Sequence, residues 1–138
     1  MKIKVKLLNN AKAPEYKTDG ASCLDCYAYK DVEINPMCTE LVPLGFALQL
    51  NKNYEAQIRP RSGLSKQGIN CLLGTVDSDY RGQVSAIIQN NTDKVYSVKK
   101  DDRICQMFIG KTKRVEITIA KELNTTVRGD GGFGSTGK

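Results

Sequence analysis

The chain has 138 residues, 40% of them hydrophobic, which suits one compact domain and is too apolar for general disorder. The formal net charge of +6 favours an anionic partner such as a nucleotide, a nucleic acid or a phosphate surface, although a solvated basic face would explain it equally well. Because the chain has no histidine, Ser-His-Asp and Cys-His catalysis are excluded, as are most zinc sites built on histidine.

The cysteine count and the hydropathy pattern bear on location. Five cysteines leave one unpaired under any full disulfide pairing, which favours a reducing compartment. Met1–Asn10 lacks the apolar centre of a signal peptide, and no apolar run approaches the length of a membrane span. We therefore expect a cytoplasmic protein (host cytoplasm if viral) with no membrane partner.

The predicted secondary structure consists mostly of short strands. Lys2–Leu7 alternates lysines with apolar residues, a period of two that indicates a half-buried strand. Short helices are predicted over Ser62–Lys66 and Lys121–Asn124. Further predicted strands are Leu41–Leu50, Tyr54–Arg59, Gln83–Gln89, Ile104–Ile109 and Val115–Ile119. Polar turns separate these runs, so the pattern indicates a single all-β domain: a sandwich, a barrel or a jelly roll.

The C-terminal residues differ in composition from the rest. Arg128–Lys138 is rich in glycine and serine and shows no periodicity, which predicts a flexible arm. We therefore divide the chain into a β domain over residues 1–127 and an arm over residues 128–138. No internal repeat or second domain is apparent.

The segment Gly74–Gly82 is the most informative motif. It predicts a hairpin, with Asp77 where a strand meets its turn and Tyr80 beside it. A carboxylate in that position can orient and deprotonate a water, which is general-base chemistry. A plain hairpin with turn-favouring aspartates is the alternative.

Two further segments have the composition of anion sites. Pro60–Ser65 follows a strand and offers the charge of Arg61, the hydroxyl of Ser62 and backbone N–H groups near a helix start. A serine-capped helical turn is the alternative. Gln106 lies where Asp102–Met107 enters a strand, and its amide either donates to a phosphate oxygen or has a structural role.

The arm carries a near-match to a phosphate-binding loop. Arg128–Gly137 approaches the Walker spacing, but Ser135 stands at the lysine position and no helix can follow, so a P-loop NTPase is excluded. Its amides and Arg128 would still suit phosphates, with Phe133 stacking on a flat ring. A disordered tail is the alternative. The spacing Cys23-x-x-Cys26 has no second pair, which makes zinc unfavourable.

The order of these motifs resembles that of the trimeric dUTPase family, and the resemblance extends over nearly the whole chain. The five matching segments are Ala21–Ala28, Pro60–Leu64, Gly74–Gly82, Asp102–Gln106 and Arg128–Gly137. The resemblance implies a distorted jelly-roll or barrel-like subunit and a homotrimer with shared active sites. It also implies Mg²⁺-dependent hydrolysis of dUTP to dUMP and pyrophosphate, which limits uracil incorporation into DNA and supplies dUMP for thymidylate synthesis.

The resemblance also implies roles for individual residues. Asp77 would activate the attacking water, Tyr80 would pack under the deoxyribose, and Asp25 would orient the waters around Mg²⁺. Phosphates would be bound by Arg61, Ser62, Gly63 and Gln106. Uracil would be contacted by the backbone of Gly74, Thr75 and Val76. Over the bound substrate the arm would close through Arg128, Phe133 and Gly134. A triphosphate carries close to four negative charges, which the metal and the arginines would offset.

The chain departs from the family pattern at three cysteines. Cys23 stands where glycine is usual, and Cys26 stands where an apolar residue is usual. Cys71 stands six positions before Asp77, where bacterial relatives often carry an asparagine that binds the base, with Asn70 beside it. The third departure lies where relatives read the pyrimidine O4 edge.

Three rival functions remain open. A dCTP deaminase, similar to this family in fold, would need a glutamate to activate water at the cytosine ring, whereas the predicted hairpin offers Asp77. A nucleic-acid-binding barrel would need several exposed aromatics on its strands, but the chain has no tryptophan and scattered Tyr and Phe residues, so we expect no nucleic-acid partner. A regulatory interaction protein is the third alternative.

Overall fold

Period-two burial along the longer strands produces the two main sheets of the computed structural model, which describes residues 1–133 and 135. In β6 (Tyr54–Arg59), Ala56 and Ile58 are buried while their neighbours are partly exposed. In β9 (Ser85–Asn90), Ala86 and Ile88 are buried in the same alternating way. Each sheet therefore has one core face and one outer face.

The described residues form eleven strands and one helix. Besides β6 and β9, the elements are β1 (Lys4–Leu7), β2 (Leu24–Tyr27), β3 (Val32–Ile34), β4 (Thr39–Pro43), β5 (Phe46–Gln49), α1 (Ser62–Ser65), β7 (Ile69–Leu72), β8 (Gly74–Val76), β10 (Tyr96–Val98) and β11 (Arg103–Lys111). Across the described part of the chain, no helix is long and apolar enough to cross a membrane.

All the strand pairs are antiparallel. One sheet has the order β2-β11-β6-β8 and a second has the order β4-β9-β7, with β1-β5 and β10-β3 as two-stranded additions. Neighbours in the sheets are often distant in sequence, as in a jelly roll. The predicted all-β, jelly-roll-like fold is confirmed.

A single hydrophobic core joins the two larger sheets. The first sheet contributes Ile58 and Met107, and the second contributes Val42 and Ile88, each at most 1% exposed. Three thiols also lie in this core: Cys105 contacts Cys26 within its own sheet and Cys71 of the other sheet. The inner faces thus consist mostly of apolar side chains and thiols. Most polar side chains of the strands therefore lie on the outer faces.

Asn90 is the buried polar side chain of the described core. Its Nδ2 donates to the carbonyls of Ile34 (2.9 Å) and Lys94 (2.7 Å), and its Oδ1 accepts from the Thr92 backbone N–H at 3.0 Å. With its hydrogen-bonding groups satisfied, the amide costs little to bury and joins the end of β9 to the neighbouring segments.

The predicted strand Leu41–Leu50 is wrong as a single element. It is divided into β4, which pairs with β9, and β5, which pairs with β1. The break falls at Gly45, whose φ is +75° and where a Cβ would clash with the ring of Tyr29. A left-handed residue packed this closely must be glycine, and it ends the first strand.

Two C-terminal predictions are also wrong for the single chain. Val115–Ile119 forms no strand, and Lys121–Asn124 forms no helix. Every residue from Lys113 to Asp130 is exposed, and Ile117 and Ile119 are 84% and 96% exposed. A β-prone sequence needs a partner strand for its backbone groups, and the chain itself supplies none over these described residues.

The predicted hairpin Gly74–Gly82 is only partly correct. A turn does follow β8, with the Tyr80 N–H donating to the Asp77 carbonyl at 3.2 Å. However, β8 pairs with β6, whereas β9 pairs with β4 and β7, so the segment passes from one sheet to the other. The sequence showed the turn but not the divergence of its flanking strands.

Candidate active site

One group of predicted site residues meets at the end of the four-stranded sheet. Asp25 on β2, Gln106 on β11 and Arg59 on β6 lie on one rung, each a direct cross-strand partner of the next. The Gln106 amide donates to the Pro60 carbonyl at 2.8 Å, which ties the rung to the turn that leads into α1. In that turn, Ser62 and Gly63 are exposed.

Two arginines hold the Asp25 carboxylate. Arg103 Nη1 donates to Oδ2 at 3.0 Å, and Arg61 Nε lies 3.7 Å from Oδ1. Arg61 also donates to the backbone carbonyl of Arg103. The Asp25 side chain is only 16% exposed, so these ion pairs are less screened than ordinary surface pairs. We call Asp25, Arg61, Arg103 and Gln106 the Asp25 cluster.

A tyrosine near this cluster has a perturbed pKa. Burial, together with the Asp102 carboxylate, raises the pKa of Tyr96, and the positive charge of Arg61 opposes that shift. The phenol is therefore neutral at physiological pH and can act as a hydrogen-bond donor.

A second group of predicted site residues surrounds a cavity of about 300 Å³ between the sheets' edges. Asp77 follows the last residue of β8, and the Tyr80 hydroxyl donates to the Gln83 carbonyl at 3.2 Å. A Cβ at Gly82 would clash with the Tyr80 ring, so glycine there allows the ring its position. The cavity is lined by Leu41, Ile58, Gly74, Thr75, Val76, Asp77, Tyr80, Gln83, Val84, Ser85 and Ile87.

The turn between Asp77 and Tyr80 is held by a side chain that the sequence had not singled out. Arg81 Nη1 donates to the carbonyls of Ser78 at 2.7 Å and Tyr80 at 2.8 Å. The only sequence feature that indicates this contact is an arginine directly after a D-x-x-Y turn. That feature does not distinguish an arginine bonded to the turn from one that is solvated.

The structure does not bring the two groups together. Val76 is opposite Ala56 on β6, whereas Gln106 is opposite Arg59 at the other end of that strand, and β2 lies beyond β11. With about 3.3 Å per residue and 4.8 Å between strands, Asp77 and Asp25 of one chain are about 20 Å apart. A single chain therefore holds a carboxylate with a cavity, and separately a cationic cluster.

The position six residues before Asp77 faces the core. Cys71 is 5% exposed, and its hydrogen bond with Cys105 lowers its pKa against the opposing effect of burial. Hydrogen bonds with Cys26 and Cys71, reinforced by burial, raise the pKa of Cys105. Asn70 lies on the outer face, opposite Gln89 on β9. Neither residue lines the cavity next to Asp77.

The arm residues remain apart from both groups. Arg128 Nε donates to the carbonyl of Gly131 at 2.8 Å, a local turn, and Phe133 is exposed. Gly134, also predicted to contact substrate, lies outside the described residues.

The donor set suits magnesium held mainly through water and substrate. Among residues 1–133 and 135, no three Cys, Asp or Glu side chains are placed to form a metal cage. Mg²⁺ typically keeps several waters and binds one or two carboxylates together with substrate phosphates. Asp25, partly exposed and beside the cationic side chains of Arg61 and Arg103, fits that arrangement.

Fold and site together define a jelly-roll-like β protein with a net cationic cluster around Asp25 and a separate cavity lined largely by apolar residues. The dUTPase family model matches residues 9–137. The chain is 49% identical to the deoxyuridine 5'-triphosphate nucleotidohydrolase of Hydrogenobaculum sp. over 99% of both chains, and 44% identical to that of Nautilia profundicola over 100% of both. The chain belongs to the dUTPase family.

Solved structures support the fold. The dUTPase of Staphylococcus bacteriophage 80alpha, determined with dUpNHpp, has a TM-score of 0.93 at 22% identity, covering 99% of each chain. The dUTPase of phage phi11 of S. aureus, described with a structural Mg(II) ion, has a TM-score of 0.85 at 18% identity, covering 91% of this chain and 100% of that one.

Proposed function

We propose that this chain hydrolyses dUTP to dUMP and pyrophosphate by attack of water on the α-phosphorus. The observation that carries the proposal is that Asp77 lines the cavity together with Tyr80 and the backbone of β8. Membership of the dUTPase family and the names of the relatives support the same reaction.

Each residue around the cavity has a role in this proposal. Asp77 orients and deprotonates the attacking water, a contribution of about 10²–10⁴-fold for a general base. Tyr80 fills the space beside the deoxyribose, and the backbone of Gly74, Thr75 and Val76 reads uracil. Neither Asn70 nor Cys71 lines the cavity, so in this proposal the uracil is recognised mainly by main-chain groups and not by those two side chains.

The Asp25 cluster is proposed to bind the triphosphate. Arg61 and Gln106 bind phosphate oxygens, together with the exposed Ser62 and Gly63, and Asp25 holds waters of a bound Mg²⁺. The metal, when bound, would offset the phosphate charge and polarise the phosphoryl oxygens. The main demands of this reaction are positioning and charge stabilisation, which need no histidine.

The proposed site is shared between copies of the chain in a homotrimer. The separation of about 20 Å between Asp77 and Asp25 in one chain is too long for one nucleotide to contact both, which supports a site completed by a second copy. The exposed apolar side chains of Val115, Ile117 and Ile119 also favour burial on a neighbouring subunit. Arg128 and Phe133 of the arm would then close over the nucleotide.

A panel of dUTP, dCTP, dTTP and UTP assayed for pyrophosphate release tests the proposal. We expect turnover of dUTP with Mg²⁺ and little turnover of the others. Ammonia release from dCTP would instead establish a deaminase. A folded protein that releases neither product would exclude both enzymatic functions.

A further inference from the structure

Arg103 differs from Arg61 in how it is held. Arg61 has a second anchor, since it donates to the Arg103 carbonyl on β11, and its side chain is 28% exposed. Arg103 Nη1 donates to Asp25 Oδ2 at 3.0 Å, and the Arg103 side chain is 45% exposed. Of the two cations on this carboxylate, Arg103 is therefore the one that can leave without losing a second contact.

Binding of metal and triphosphate brings new hydrogen-bonding partners to both Asp25 and Arg103. Waters of a bound metal would donate to the Asp25 carboxylate and so compete with Arg103, which donates to its Oδ2. A guanidinium released in this way would lie beside the three phosphates, for which its planar donor fork is well suited. The exchange thus replaces one charge-assisted hydrogen bond by another and leaves neither group unpaired.

We propose that Arg103 is an exchangeable phosphate-binding residue: it is paired with Asp25 in the free enzyme and moves to the triphosphate when Mg²⁺ and nucleotide bind. This inference rests on the proposed function. It adds Arg103 to the phosphate-binding side chains and makes its contribution depend on the metal.

Calorimetric binding of dUpNHpp to the full-length chain tests the exchange. The quantity compared is the affinity lost on Arg103→Gln, measured in three settings. In Mg²⁺ the loss should be about 10-fold or more, the size expected for a charge-assisted hydrogen bond. In EDTA, where Arg103 stays on Asp25, it should be at most about 3-fold. In EDTA, with Asp25→Asn present both in the reference protein and in the Arg103→Gln variant, Arg103 is already free of Asp25. The loss of affinity on Arg103→Gln should then return to about 10-fold.

The controls separate contact from charge. Removing one positive charge contributes in all three settings, so only the differences report the contact. Lys99→Gln removes a cation from an exposed pair with Asp31 at 3.3 Å and should change the affinity by the same small factor in all three settings. If the Arg103→Gln protein does not fold, Arg103→Lys replaces it in all three measurements. The losses in affinity should then be smaller but should follow the same order: large in Mg²⁺, small in EDTA, and large again in EDTA with Asp25→Asn.

Equal losses in the three settings, or no loss in Mg²⁺, would overturn the exchange. Equal losses would mean that Arg103 contributes only its charge, whether or not metal is bound. No loss in Mg²⁺ would mean that Arg103 stays paired with Asp25 when nucleotide binds. dUTP turnover by the unmodified protein reports on the proposed function alone. Turnover without the predicted pattern therefore rejects only the role of Arg103, whereas a protein that neither turns over dUTP nor binds dUpNHpp rejects both.

Discussion

Asp25 and Gln106 lie directly opposite each other on the antiparallel strands β2 and β11. The residues beside them in sequence, Cys26 and Cys105, are also cross-strand partners and are both fully buried. Alternation along the strands therefore fixes the two polar side chains on the outer face because their neighbours are held in the core. The rung proposed to bind phosphate therefore has the rigidity of the sheet and does not depend on a loop.

Asp77→Asn tests the proposed general base. We expect the fold and dUTP binding to persist and turnover to fall by about two to four orders of magnitude, because an amide cannot accept the proton from water. Turnover under saturating dUTP, with affinity measured separately, checks this.

Asp93→Asn is the matched control, since Asp93 is an exposed aspartate in a turn away from the cavity. It should leave turnover unchanged. Near-normal turnover by folded Asp77→Asn protein would contradict the assignment of the base.

Tyr80→Ala tests how the sugar is recognised. If the ring excludes a 2′-hydroxyl by shape, its loss should narrow the preference for dUTP over UTP, mainly by admitting UTP. The ratio of kcat/KM for the two nucleotides is the measurement. An unchanged ratio would show that another group discriminates the sugars.

Local pattern predicted some local structure well and failed where a strand had to end or pair with another chain segment. Tyr54–Arg59 was predicted with the bounds that β6 has, and Asp77 was expected at the end of a strand, where it lies. Partner choice was not predictable, since the alternation in β8 is the same whether it pairs with β6 or with β9. The distance between Asp77 and Asp25 follows from those pairings, so the sequence could suggest a site shared between copies only through the family resemblance.

The role of Arg103 could not be read from the sequence either. A charged residue at the start of a strand is usually a solvated side chain. Its contact with Asp25 joins β2 to β11, two strands that are distant in sequence, and only their register reveals it.

The exposed apolar residues after β11 predict an effect on assembly. Ile117→Asp should weaken the proposed trimer without unfolding the subunit, because Ile117 is 84% exposed within its own chain and would be buried only against another copy. Analytical ultracentrifugation over a concentration range measures this.

Met37→Asn provides the control for that experiment. Met37 is another apolar side chain that is 72% exposed, and its φ of +57° suits asparagine. It should not change the assembly. Dissociation by both variants, or by neither, would argue against burial of the Ile117 segment on a neighbouring subunit.

Deletion of Arg128–Lys138 tests the arm. The segment contains five glycines, so ordering it costs conformational entropy that a bound triphosphate would have to offset. We expect the truncated protein to keep its assembly and its melting temperature within a few degrees, because residues 128–130 are exposed. Turnover of dUTP should fall severely, since closure over the phosphates is lost. A large drop in melting temperature would instead give the arm a structural role.

Mixing two inactive proteins tests whether the arm serves a neighbouring copy. Subunits carrying Asp77→Asn keep their arms, and subunits truncated before Arg128 keep Asp77. If each arm closes over the Asp77 of another subunit, mixed trimers contain some complete sites, and activity returns after subunit exchange. If each arm closes over its own Asp77, no mixed trimer has a complete site. Exchange followed with two fluorescent labels must accompany the assay, because a mixture that exchanges freely and stays inactive rejects sharing of the arm between subunits.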